Sequence, residues 1–334
     1  MNPVLVEQWR GNLVETLHRG SVCVADADGN IVFSLGDIHQ KTYPRSALKF
    51  LQHLVLLESG AAEHFQFSLA EIALMAGSHN GEPHHLETAQ RILSKIGLEE
   101  HHLQCGAHPP FWPAEAERFF RQNRTANQLI NNCSGKHAGF LAACFFLGYP
   151  LENYLDPQHP LQQAILKKVM QMCKITEEPP VAIDGCSAPI WGLSIYEQAV
   201  GYAQLVHQSR FEHPSGKACS RLLEAVSAHP EMVAGTDRYD SEMMHNLGDR
   251  VVGKVGAEGI FCLGFRQKNW GACIKIDDGK MLPQYLIAQE LLEHFEELTD
   301  GERYALKKWT ELPVVNWKGL RTGEHRSKLS LPRE

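Results

Sequence analysis

Ser46 and Lys49 stand three residues apart in Pro44-Arg45-Ser46-Ala47-Leu48-Lys49. They head an apolar run at helical spacing (Leu48, Leu51, Leu54, Val55) that Gly60 closes. Residues i and i+3 of a helix share a face, so the hydroxyl and the amine would lie side by side. Pro44 suits a first turn, where its missing N–H costs nothing. A serine in that turn sits in the positive end field of the helix, which favours an alkoxide or a developing oxyanion. An unassisted serine is a poor nucleophile, and an adjacent amine that takes its proton would activate it. By itself Ser-x-x-Lys usually marks only a capped helix with an exposed lysine, so a catalytic role needs partners.

The candidate partner is Lys254, set between glycines in Val251-Val252-Gly253-Lys254-Val255-Gly256-Ala257 at the end of a β-branched run. Glycines beside a lysine on an edge strand let a ligand approach the backbone closely. Acyl-transfer enzymes of the penicillin-recognising type combine a Ser-x-x-Lys helix with a late Lys-x-Gly strand. The plainer alternative is a glycine-rich turn with a surface lysine.

Three further loops carry reactive groups. Gly77-Ser78-His79-Asn80-Gly81-Glu82-Pro83-His84-His85 lies between two predicted helices. Ser78 there is either a second nucleophile or a donor working with Lys254, or else it only satisfies helix-end backbone groups. Histidines 79, 84 and 85 at a helix start read as locally hydrogen-bonded and not as metal ligands. Cys133 in Asn131-Asn132-Cys133-Ser134-Gly135-Lys136-His137 and Cys186 in Asp184-Gly185-Cys186-Ser187 stand in irregular loops. Two thiolates with an N or O donor and an open position would suit zinc, although without a Cys-x-x-Cys spacing these residues by themselves favour buried inert thiols. Cys105 and His108 could also donate, but their segment reads as a structural turn.

Length and composition bound the class. The 334 residues are 43% hydrophobic and 21% charged, as in an ordinary soluble globular protein, and can bury one large core or two modest ones. A net charge of -7 argues against a nucleic-acid or anionic-membrane partner. Basic residues gather near the C-terminus (Lys307, Lys308, Lys318, Arg321, Arg326, Lys328, Arg333), but Trp309, Pro313 and Trp317 interrupt them. That pattern predicts a tail packed over the body. No signal segment is visible, and the apolar stretch from Ala138 to Leu147 is too short to span a bilayer. Nine cysteines without paired spacing do not form a disulfide framework, which places the chain in the reducing cytoplasm.

These motifs need elements to hold them. Strands are predicted at Val4–Glu7, Leu13–Glu15, Ser21–Ala25 and Ile31–Phe33, the last two around an Asp26–Asn30 turn. Ser68-x-x-Glu71 and Ser194-x-x-Glu197 are capping boxes. Pro83 starts a helix that Gly97 closes, and more helices are predicted near 136–147, 160–173, 194–207 and 216–228. Strands return at 250–254, 259–266 and 270–277, before a final helix at 282–298. The expected fold is therefore α/β (α+β): an antiparallel sheet built from N- and C-terminal strands, flanked by helices, with an inserted all-helical subdomain. The expected division is one domain, 1–334, with a sheet subdomain at 1–58 and 240–334 and a helical one at 59–239.

Together, Arg45–Lys49, Ser78–Glu82, Cys133–His137, Asp184–Cys186 and Lys254–Gly259 closely resemble the rhizobial-type (class 3) L-asparaginase family. The Pro3–Glu7, Arg10-Gly11, Glu15 and His18-Arg19-Gly20 run resembles its N-terminus, so the match spans nearly the whole chain. The resemblance implies a fold similar to serine β-lactamases and glutaminases, hydrolysis of L-asparagine to L-aspartate and ammonia, and a homodimer. It implies catalytic pairs Ser46–Lys49 and Ser78–Lys254, and zinc held by Cys133, Lys136 and Cys186 with water. Asp184 beside the metal, His137 and Arg45 would bind substrate.

On this expectation one lysine must be neutral near pH 7, well below its ordinary pKa of about 10.4. Burial and the convergence of Lys49, Lys136 and Lys254 would both act that way. Backbone N–H groups at the start of the Ser46 helix would receive the oxyanion. Zinc would grip the substrate's α-amino and carboxylate groups. The alternatives are a glutaminase or penicillin-recognising amidase, a non-catalytic zinc or amino-acid binding module, and a hydrolytic zinc enzyme.

Overall fold

The computed structural model describes residues 1–207 and 215–332; Arg333 of the basic C-terminal cluster lies outside the described residues. The sheet expected from the two ends of the chain is present. Its strands are β1 (Val4–Arg10), β2 (Leu13–Asp26), β3 (Ile31–Leu35), β8 (Val251–Gly256), β9 (Ile260–Phe265), β10 (Trp270–Ile276), β11 (Pro313–Val315) and β12 (Arg321–Ser327). The order is β11-β12-β1-β2-β10-β9-β8, with β3 also paired to β2. Every pairing is antiparallel. Short ladders β4 (Lys41–Thr42) with β7 (Leu193–Ser194), and β5 (Val181–Ile183) with β6 (Pro189–Trp191), lie outside this sheet.

β2 is one 14-residue strand and not the two short strands predicted. Its first half pairs with β1 and its second with β10, so His18-Arg19-Gly20 is carried through as strand. Gly20 is required there, since a Cβ would come within 2.0 Å of the Lys275 carbonyl oxygen. The C-terminal residues lie on the body, as the sequence suggests, but as strands, which was not expected. They form a β11–β12 hairpin on the free edge of β1, with Trp317 fully exposed at its tip. Trp309 packs inward, edge-to-face on Tyr239 and Tyr285, and Leu312, Leu329 and Leu331 also pack on the core.

Helices Ile195–Val206 and Met281–Phe295 flank the sheet, the first against β2, β9 and β10, the second against β9, β10, β1 and β12. Gly271 of β10 lets the first come close, because a Cβ there would meet the Ala199 carbonyl oxygen at 2.0 Å. β8 and β9 are buried along their whole length, so β8, although an edge strand, is covered. What covers it is the turn carrying Ser46 and the helix Tyr239–Leu247. The helices between strands come where capping predicts. Ser68 and Ser194 make reciprocal capping boxes with Glu71 and Glu197. Helix Ser134–Leu147 is buried through Cys144. All nine cysteines are buried and free. No helix among the described residues is long and apolar enough to cross a membrane.

Candidate active site

Ser46 sits in a 3₁₀ turn, Arg45–Leu48, which passes into short α-helices Lys49–Gln52 and Leu54–Ser59 before Gly60 ends the run at φ +89°. One unbroken helix from Pro44 was expected. The difference begins at Arg45, whose φ of +52° is left-handed and costs a non-glycine residue roughly 1–2 kcal/mol. Side-chain contacts hold it there: Arg45 Nε donates to Asp184 Oδ1 at 2.6 Å, and the guanidinium lies 3.7 Å from Glu258. Tyr202 donates its hydroxyl to the Ala47 carbonyl at 2.7 Å, fixing the turn to the helix that backs the sheet. The turn supplies fewer free amides than a regular helix start, because the Ala47 N–H already bonds Pro44 O at 3.1 Å. Among the described residues, the Ser46 N–H has no intramolecular acceptor.

The loop after Leu69–Met75 brings Ser78 to Ser46. Ser78 N–H bonds Val233 O at 2.6 Å and His79 N–H bonds Asn132 O at 3.2 Å, so the loop is clamped from two sides. Ser78 Oγ donates to Ser46 Oγ at 3.2 Å and accepts from Asn132 Nδ2 at 2.8 Å. The neighbouring histidines are structural. His79 bonds Ser134 Oγ and the Gly81 N–H, His85 bonds Glu231 O and the Glu82 N–H, and burial keeps both rings neutral.

Both lysines predicted from the sequence are buried, and Lys254 makes no hydrogen bond to Ser78 among the described residues. Lys49 Nζ donates to Gly77 O at 2.6 Å, the carbonyl immediately before Ser78. No hydrogen bond links it to Ser46 among the described residues. Lys254 is wholly buried, donates to Val255 O at 3.1 Å, and faces Asp240 Oδ2 at 3.5 Å. Burial, opposed by Asp240 and reinforced by the cations Lys49 and Arg238, brings its pKa down to about 7. β8 is pressed onto the Ser46 turn: a Cβ on Gly256 would meet Pro44 O at 2.4 Å, so only glycine fits. The glycine-and-lysine pattern thus marks a close backbone approach, and the lysine is not on the surface.

On the Arg45 side, Asp184 leads to a buried sulfur cluster. Lys136 Nζ donates to Cys186 Sγ at 2.8 Å, and Cys133 hydrogen-bonds the same sulfur. The Cys133 bond, opposing burial and joined by Lys136 and His137, holds the Cys186 thiol far below its usual range. That bond and burial push Cys133 up. Burial opposes the charge on Lys136, but Cys186, Cys133 and Asp184 outweigh it and raise its pKa. Two sulfurs and an amine in mutual contact fit the donor set of a thiophilic ion such as zinc. His137 stands beside them and bonds Tyr154 Oη at 2.7 Å. No three His, Cys, Asp or Glu side chains come together as a ligand set among the described residues, so any such ion would depend on the lysine amine.

Ser46, Ser78 and Asn132 form the floor of a cleft of about 440 Å³, with the half-exposed Phe111 and Met281 at its mouth. Three contributors were not singled out from the sequence. Asn132 orients Ser78, Asp240 is the counter-ion of Lys254, and Arg238 projects into the cleft. Asn132 lies inside a segment already quoted for its cysteine. The other two sit in Thr236-Asp237-Arg238-Tyr239-Asp240, where nothing in the residue order separates a buried Asp240 from an exposed Asp237.

A family profile described as L-asparaginase II matches residues 6–327. Among solved structures, a β-lactamase from Mycobacterium bovis is similar at 11% identity over 83% of this chain and 94% of that one, with TM-score 0.42. A Bacillus glutaminase is similar at 14% identity over 83% and 90%, with TM-score 0.36. A search of curated proteins gave no match.

Proposed function

Because the chain belongs to the L-asparaginase II family, a family of amidohydrolases, we propose that it hydrolyses L-asparagine to L-aspartate and ammonia with Ser46 as nucleophile. The observation that supports this most is the contact between the Ser46 and Ser78 hydroxyls on the cleft floor, with Lys49 and Lys254 buried behind them.

In this reading Ser46 Oγ attacks the side-chain amide carbon after losing its proton toward Lys49, which must enter this step without a proton of its own while Lys254 carries the charge. Lys49 acts from the same turn once it releases the Gly77 carbonyl; catalytic hydrogen bonds often tighten only in the substrate complex. Lys254, poised near neutrality, returns a proton through Ser78 to the departing ammonia. The tetrahedral oxyanion is received by the Ser46 N–H. Water then cleaves the aspartyl ester, with the same lysines moving the proton. Cys133, Lys136 and Cys186 would hold a zinc ion, whose charge would attract the substrate's α-carboxylate, the α-amino group reaching it only as the free amine. Asp184, Arg45 and His137 orient the same end of the substrate.

A homodimer belongs to this proposal as well, since Leu13, Leu17, Trp317 and Leu320 leave apolar surface at one end of the sheet that a second copy would cover. Sedimentation of the purified chain tests it. Glutamine is the alternative substrate, because the cleft has room for one more methylene. Side-by-side assays on asparagine, glutamine and a chromogenic β-lactam decide the substrate. Ammonia from asparagine at the highest kcat/KM is expected, and turnover of the β-lactam alone would overturn the proposal.

A further inference from the structure

Asparagine leaves behind ammonia, which needs no more room than the roughly 30 Å³ share of a water molecule. The cleft over Ser46 and Ser78 is far larger, about 440 Å³, and its mouth is lined by Phe111, Val255 and Met281. It also holds a cation, Arg238, the one charged side chain lining it among the described residues. Arg238 donates to Asn80 Oδ1 at 3.0 Å and reaches the Tyr285 hydroxyl. No carboxylate lies within ion-pair distance of it among the described residues. A guanidinium has five N–H donors in a fork that matches a carboxylate, so neutral partners leave much of that capacity unused.

In the function proposed above, the charges needed by the aspartyl end stand elsewhere, and none of them lines this cleft. Arg45, Asp184 and the Lys136–Cys186 pair are joined on the Arg45 flank of Ser46, whereas Asn80 and Arg238 follow from the Ser78 loop. An apolar wall ending in an unpaired arginine therefore serves the leaving-group side. From this we propose that the enzyme also hydrolyses β-aspartyl dipeptides. These are asparagines whose side-chain amide nitrogen carries a second amino acid; its side chain lies along Phe111 and Met281, and its carboxylate binds Arg238. This rests on the Ser46 acyl-transfer chemistry proposed above. Ser46 Oγ bonds to the β-carbonyl carbon, the C–N bond breaks, and the amine leaves with a proton from the Ser78–Lys254 pair. Water then hydrolyses the ester to aspartate and restores the serine.

The test gives purified wild-type protein β-aspartyl-leucine, β-aspartyl-leucinamide and asparagine, reading free leucine or leucinamide by chromatography and ammonia by coupled assay. Leucine release is expected, with kcat/KM at least tenfold lower for the leucinamide, which lacks only the terminal carboxylate. Arg238→Gln is expected to raise KM for β-aspartyl-leucine about tenfold or more and KM for asparagine far less, while any change in kcat through Lys254, whose pKa Arg238 helps depress, falls on both substrates alike. Ammonia from asparagine without leucine from the dipeptide overturns the inference and leaves the asparaginase reading intact. So do equal rates on the free and capped dipeptides, or equal KM increases on dipeptide and asparagine in Arg238→Gln. Leucine release without asparagine turnover supports the inference and removes asparagine as the substrate. Inertness toward both removes both.

Discussion

The Lys254 ammonium and the Asp240 carboxylate face each other at 3.5 Å with neither side chain exposed to solvent. Asp240 accepts the Val255 N–H through Oδ2 at 3.0 Å, and its Oδ1 has no partner among the described residues. The pair is thus incompletely satisfied, and Lys49 and Arg238 add positive charge nearby. The outcome is a lysine at about 7, where it can both take and return a proton.

The role of Asp240 is separable by pH. Its charge raises the pKa of Lys254, so Asp240→Asn, which still offers an acceptor to the Val255 N–H, lowers that pKa further. If protonated Lys254 serves the departing ammonia, kcat/KM for asparagine falls as pH rises through about 7 in the wild type. In Asp240→Asn that limb moves to lower pH. An unmoved limb would remove Lys254 from the proton path.

Lys254 also costs stability. Its folded-state pKa of about 7 lies below the ordinary 10.5, so between these values the unfolded chain binds more protons. The penalty is full below about pH 7, shrinks as pH rises, and is gone above 10.5. Lys254→Met combined with Asp240→Asn, which leaves no unpaired buried carboxylate, is therefore expected to be inactive yet to melt higher than wild type at pH 7, with the gain shrinking toward pH 10. Thermal denaturation across that range checks the sign. A lower Tm at every pH contradicts it.

Gly256→Ala tests the approach of β8 to the Ser46 turn. The added methyl meets Pro44 O at 2.4 Å, and both partners are backbone, so one must move. A loss of about 1–3 kcal/mol in stability is expected, with kcat/KM reduced at least tenfold. Wild-type turnover would mean that strand and turn need not touch.

The sulfur cluster predicts a split in kinetics. If Cys133 helps hold an ion that grips the substrate's amino-acid end, Cys133→Ser raises KM much more than it lowers kcat. Binding requires Cys133 and Lys136 to lose protons, so zinc affinity, followed by competition with a chromogenic chelator, should rise with pH. Loss of kcat at constant KM would place Cys133 in the chemistry instead.

Much of this site was legible in the sequence because short segments carry it. Ser46 with Lys49, the Ser78 loop and the glycine-flanked Lys254 are each marked by a short motif, and the packing of β8 on the Ser46 turn and the clamped Ser78 loop brings the segments together. The C-terminal hairpin was not legible: the mostly half-buried, polar residues of Arg321–Ser327 have no apolar alternation, and their strand conformation comes from pairing with β1. Asp240 and Arg238 were invisible for a related reason, since burial beside Lys254 and projection into the cleft are set by tertiary packing. Arg45 shows a third limit. Its left-handed backbone depends on the bond to Asp184, 139 residues away, and local propensity gives no sign of it.

The most direct measurement is ammonia release from L-asparagine by the purified wild type and by Ser46→Ala, with circular dichroism confirming that both are folded. Steady turnover by the wild type and a loss of at least about 10³-fold in Ser46→Ala are expected for a serine nucleophile. Comparable rates in the two proteins, or no ammonia from the folded wild type, would contradict it.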